Sequence, residues 1–159
     1  MAKQIGDKQT SGSTIDPEAL RRAEDVIAQL RWTYIREWAP AAMLELEEAT
    51  RGLRRAAAAG DQQAATEHRQ TILRLTHDMK GQAGTFGLDL LQDFAASLHN
   101  FAAPQTGDAR RQAELCEAHV TAMRTALSDA SMQPEGLIDS LLEHQLREGL
   151  QRLARMRFN

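Results

Sequence analysis

The chain has 159 residues and a formal net charge of -3, with 42% hydrophobic, 26% charged and only 4% aromatic residues. Valine occurs only at Val26 and Val120, while Ala, Leu, Arg, Glu and Gln dominate, an alphabet that favours helices and effectively excludes a sheet protein. The charge balance supplies no positive field for nucleic acid, and the single Cys116 excludes an internal disulfide framework or a multi-cysteine metal site. Neither a signal peptide nor a run near the ~18 apolar residues of a membrane span is present, so the expectation is a soluble, cytoplasmic, all-α protein.

Residues 1–15 mix Gly, Ser, Thr, Gln and Lys without periodicity and read as a disordered tail. Asp16-Pro17-Glu18 is a helix start, with Asp16 as cap and Pro17 in the first turn. The apolar positions Leu20, Ala23, Ile27, Leu30 and Tyr34 follow as a helical stripe. Pro40 marks a kink or a new start, after which Met43, Leu46, Thr50, Leu53 and Ala57 continue the spacing. Gly60-Asp61 reads as a C-terminal glycine followed by the next cap.

A third helix is predicted from about Gln62 to Phe86, with Ile72, Leu75, Met79, Ala83 and Phe86 facing the core. Asp89 with Gln92 is a candidate capping pair for a fourth helix carrying Leu91, Phe94, Leu98 and Phe101 and ending before Pro104. Thr106-Gly107-Asp108 is a turn and cap, and a fifth helix offers Leu115, Cys116, His119, Val120, Met123 and Leu127 to the core. Beyond Pro134 a sixth segment places Ile138, Leu142, Gly149, Leu153 and Met156 on one face, and its end is rich in arginine. The economical architecture is an antiparallel four-helix bundle over 16–130 with extra helical segments at both ends. The amphipathic segment 131–159 either packs on the bundle or serves docking.

One stretch departs from this economy: Thr76-His77-Asp78-Met79-Lys80-Gly81-Gln82-Ala83-Gly84-Thr85-Phe86-Gly87. Three of the ten glycines fall here within seven residues, and each glycine inside a helix costs roughly 0.5–1 kcal/mol relative to alanine. At ~100° per residue, His77 points about 150–160° away from the core stripe, with Gly81 and Gly84 within about 40° of it one and two turns on. The imidazole therefore projects from a face bared for the close approach of something bulky. Lys80, offset by roughly 60°, is one of three lysines, and the other two, Lys3 and Lys8, lie in the tail. A compact ammonium one turn from a histidine suits contact with a phosphoryl oxygen on the ring.

The run His77-x-x-Lys80-Gly81, with Gly87 ten residues after the histidine, resembles the phosphoacceptor motif of histidine phosphotransfer (HPt) proteins. These are helical bundles that relay phosphoryl groups in bacterial multi-step phosphorelays. The resemblance implies His77 as the phosphorylated residue, Lys80 as a cation steadying the phosphoryl oxygens, and Gly81 and Gly84 as clearance for the partner. Gln82 sits where a small residue such as Ser is frequent, and His99 falls where several members carry a Gln that supports the histidine. These two are the candidate supporting residues. The implied partners are response-regulator receiver domains, including those of hybrid histidine kinases, which bring Mg²⁺ and most of the catalytic groups. No cofactor of the chain's own is implied. The chain shows no Gly-rich nucleotide loop, so autonomous kinase activity is not expected.

Plainer readings apply elsewhere. His68 and His144 read as surface residues, His119 as a partly buried core residue, and His99 as either surface or support. Trp32, Tyr34 and Trp38 are expected to pack between helices, and Arg51, Arg54 and Arg55 to form a solvated charged face. A non-phosphorylated adaptor that binds a signalling partner through the same face is the rival function. A metal-binding bundle lacks paired Glu-x-x-His motifs and clustered ligands.

Overall fold

A computed structural model describes residues 12, 14–104, 107–133 and 136–156, and every element among them is helical. The elements are α1 (Pro17–Thr33), a π-helical turn (Tyr34–Trp38), α2 (Ala39–Ala59), α3 (Gln62–Thr85), α4 (Asp89–Ala102), α5 (Ala109–Met132) and α6 (Ser140–Met156). Most of the tail expected at 1–15 lies outside the described residues, as do Thr106, Pro134 and Arg157.

Local capping chemistry sets the helix boundaries. The Asp16 carboxylate accepts the Glu18 N–H, that of Asp61 accepts the Ala64 N–H, and that of Asp108 accepts those of Arg110 and Arg111, satisfying donors that a helix start leaves unpaired. Gly60 closes α2 at φ 68°, a left-handed conformation that glycine adopts without steric cost. Pro40 neither breaks nor restarts the chain. The π turn ahead of it lets the Ala39 N–H reach the Tyr34 carbonyl, five residues back, so the helix runs on from α1 into α2 around a residue that lacks an N–H.

Helices α2 to α5 form a closed ring in which α3 and α5 each pack against both α2 and α4. The inner faces match the predicted stripes: Met43, Leu46 and Leu53 from α2, Ile72, Leu75, Met79 and Ala83 from α3, Leu91, Phe94 and Leu98 from α4, and Val120 and Met123 from α5 are all buried. The expected four-helix bundle is thus present. The buried Gln112 and His119 side chains are paired. The Gln112 amide donates to the Phe101 and Ala103 carbonyls at the end of α4 (2.7 and 2.9 Å). His119, fully rather than partly buried, hydrogen-bonds the Leu115 carbonyl through Nδ1 at 2.6 Å and the Ser97 hydroxyl through Nε2 at 2.8 Å.

The sixth helix packs on α5 and α4, and Asp139 caps it by accepting the Leu141 and Leu142 N–H groups. Its packed residues are Leu146, Leu150 and Leu153, with Ile138 just before it. Met156, predicted for that face, is exposed.

Two expectations near the N-terminus change. The α1 stripe exists, but α1 buries no residue: Leu20, Ile27 and Leu30 are exposed, because the helix runs on past the bundle and meets it through its last turn. Of the three aromatics, Tyr34 is buried with its ring 5.4 Å from that of Phe86. Trp32 is half-buried beneath the Arg36 guanidinium, and Trp38 is exposed. The Arg51, Arg54 and Arg55 face is ion-paired at the surface, the first and last with Glu48 and the middle one with Glu117. Arg55 and Arg51 hold the Glu48 carboxyl below its ordinary value.

Candidate functional site

The register of α3 decides what its outer face presents. With Leu75, Thr76, Met79 and Ala83 turned inward, the helical repeat leaves His77, Asp78, Lys80, Gly81 and Gln82 exposed. Among the described residues, His77 has no hydrogen-bond partner and Lys80 no ion pair. Both side chains are therefore available to an incoming group. A Cβ added at Gly81 would meet nothing within 4 Å, so the turn after His77 is bare towards solvent.

Gly84 is different. A Cβ there would come within 2.6 Å of the Gln92 Nε2 on α4, so the space left by the missing side chain is already filled from within the fold. Gly84 thus serves the contact between α3 and α4, and Gly81 is the position that stands open. The sequence placed Gln92 in a capping pair with Asp89 instead. The structure has Leu88 as the residue before α4, with no side-chain cap, and Gln92 lies over Gly84.

The third glycine of the run ends the helix. Gly87 takes φ 72°, and its N–H reaches the Gly84 carbonyl at 3.2 Å while the Leu88 N–H reaches that of Ala83 at 2.8 Å. This paired closure satisfies two carbonyls that a helix end leaves orphaned, and it requires the left-handed residue between them. The neighbouring Phe86 carbonyl accepts a hydrogen bond from Arg31 Nε at 2.7 Å, which also sets a cation at the negative end of the α3 dipole. Sequence reasoning missed Arg31, since no local pattern links it to a carbonyl 55 residues away.

His99 is half-buried on α4, and its Nδ1 lies 3.1 Å from the Thr76 hydroxyl. That hydroxyl also lies 2.7 Å from the Ile72 carbonyl, to which it donates, so Thr76 joins the α3 backbone to the His99 ring. His99 therefore engages the residue beside His77. The Gln82 backbone carbonyl accepts the Phe86 N–H at 3.1 Å, inside the helix ladder. His68, read as a surface residue, is half-buried and packs its ring over Gly52, where a Cβ would meet it at 2.3–2.6 Å.

Among the described residues no group of His, Cys, Asp or Glu could hold a metal ion, and no helix is long and apolar enough to cross a membrane.

The Hpt domain model matches residues 32–155, and the chain belongs to that family. Hpt domains act in histidine phosphotransfer within phosphorelays; they are carriers rather than kinases and interact with receiver domains. No curated protein and no solved structure matches the chain.

Proposed function

We propose that the chain is a phosphoryl carrier that accepts a phosphoryl group on His77 from the aspartyl phosphate of one receiver domain and passes it to the aspartate of another. The observation that carries this reading is the exposed, unpartnered imidazole on α3 beside the open space at Gly81. A neutral imidazole nitrogen is a usable nucleophile near pH 7. Its lone pair attacks phosphorus, the N–P bond forms, and the P–O bond to the aspartate breaks, releasing the carboxylate; transfer onward is the reverse on the next receiver. Such a transition state needs alignment and neutralisation of oxygen charge more than covalent help. Lys80 supplies one positive charge, the receiver supplies Mg²⁺ and the remaining groups, and Gly81 lets the receiver's surface come close. His99, through Thr76, and Gln82 are supporting residues for the acceptor turn.

The test is incubation of the full chain with a phosphorylated receiver domain and Mg²⁺. Label should move to the chain, survive alkali, be lost in acid, and vanish in His77→Gln. Lys80→Ala should take label more slowly while folding normally. If wild-type chain takes no label from any receiver of its source organism, the carrier reading fails and the adaptor reading replaces it.

A further inference from the structure

An apolar face of α1 is left uncovered by the bundle. Leu20, Ile27 and Leu30 on α1 are 48%, 45% and 40% exposed, and Val26 beside them 53%. The stripe Leu20, Ala23, Ile27, Leu30 is spaced three, four, three, and its next position, four residues on, is Tyr34, buried against Phe86. The uncovered face thus continues the seam that closes the bundle. Packing of an apolar stripe is what usually stabilises a surface helix.

We propose that α1 pairs antiparallel with the α1 of a second copy of this chain. The three–four–three spacing reads the same in both directions. Reversed helices therefore set Leu20 against Leu30 and Ala23 against Ile27 in every layer, with the two-fold axis at the level of residue 25. Charge follows the same polarity. The carboxylates Asp16, Glu18, Glu24 and Asp25 precede Val26 and outnumber the arginines there, whereas from Val26 to Thr33 the charged residue is Arg31. An antiparallel pair puts each acidic start beside the other copy's basic end and opposes the helix dipoles; a parallel pair would stack like on like. The geometry leaves room, because α1 is about 25 Å long and its bundle hangs from the C-terminal end alone, so two bundles sit at opposite ends of the pair. The His77 face is on α3 and takes no part.

The experiment is sedimentation equilibrium of the full chain over a wide concentration range, with disulfide trapping. The mass should rise from 17.7 kDa towards twice that value. Leu20→Cys and Leu30→Cys should cross-link when mixed and not separately; wild type is the control, its Cys116 being buried. Ile27→Glu should weaken dimerisation by roughly tenfold or more with an unchanged bundle melt, since α1 buries nothing in the monomer. A monomer at every concentration, with no cross-link between the mixed Leu20→Cys and Leu30→Cys chains, overturns the proposal. So does a Leu20→Cys dimer formed without its partner variant, which would mean parallel helices. Protection of α1 from proteolysis only on adding a receiver domain would give the face to the receiver and also overturn it. None of these outcomes depends on phosphoryl transfer.

Discussion

Gln92 of α4 occupies the place where residue 84 would carry its Cβ, with only 2.6 Å between that position and the amide nitrogen. Gly81, one turn earlier on the same helix, faces nothing within 4 Å. Two glycines that look alike in sequence should therefore respond differently to replacement. Gly81→Ala should raise the unfolding free energy by about 0.5–1 kcal/mol, the ordinary helical gain. Gly84→Ala should gain less, because the end of Gln92 must swing aside, and adding Gln92→Ala should recover the difference. Urea unfolding of wild type and the three variants measures this; equal gains at both positions would refute the distinction.

Burial lowers the His119 pKa, opposed in part by its bond to the Leu115 carbonyl. The unfolded chain then binds a proton at a higher pH than the folded one. This contribution to stability is complete above the unfolded value, near 6.5, and falls away as the pH drops towards the folded value, by up to about 1.4 kcal/mol per pH unit. His119→Gln should lose that part of the slope. Chemical denaturation of both proteins between pH 7.5 and pH 5 checks the difference; parallel curves would show that His119 does not titrate on unfolding.

The Tyr34 hydroxyl is buried with no hydrogen-bond partner among the described residues, and its burial pushes the phenol pKa up to about 12. An unpaired hydroxyl in an apolar setting costs free energy. Tyr34→Phe keeps the ring against Phe86 and should raise stability by about 1 kcal/mol. A loss of that size on thermal or urea unfolding would mean that the hydroxyl has a partner in solution.

Cys116 is buried, and desolvation pushes its thiol up to about 12. Thiolate is the reactive form, so native protein at pH 8 should react with a disulfide reagent no faster than it unfolds. Mild urea should accelerate the reaction in step with the unfolded population. Rapid labelling in buffer alone would contradict the packing around α5.

The sequence reveals most where the determinant is local. Asp16, Asp61 and Asp108 act on N–H groups two or three residues away, so the helix starts are legible from a few letters. The α3 stripe is legible as well, and it alone puts His77 outside. What stays hidden is pairing between distant positions. Nothing near Gly84 announces Gln92, and nothing near Gly52 announces His68; each hole is recognised only once its filler has arrived. The face of α1 is hidden in a different way, since an apolar stripe declares a need for cover without saying that the same chain provides it. Leu88 shows the cost of reading a cap from residue type alone, because the turn from Ala83 to Leu88 is closed by backbone and leaves the Asp89 side chain no capping role.

The hydrogen bond from Arg31 to the Phe86 carbonyl bears on where this domain begins. The family match opens at residue 32, one position after the guanidinium that seals the end of the histidine-bearing helix. A polypeptide trimmed to that match would keep the whole four-helix ring and still lose the cation at the foot of α3. Arg31 therefore acts together with the histidine-bearing helix, although it lies just outside the matched residues.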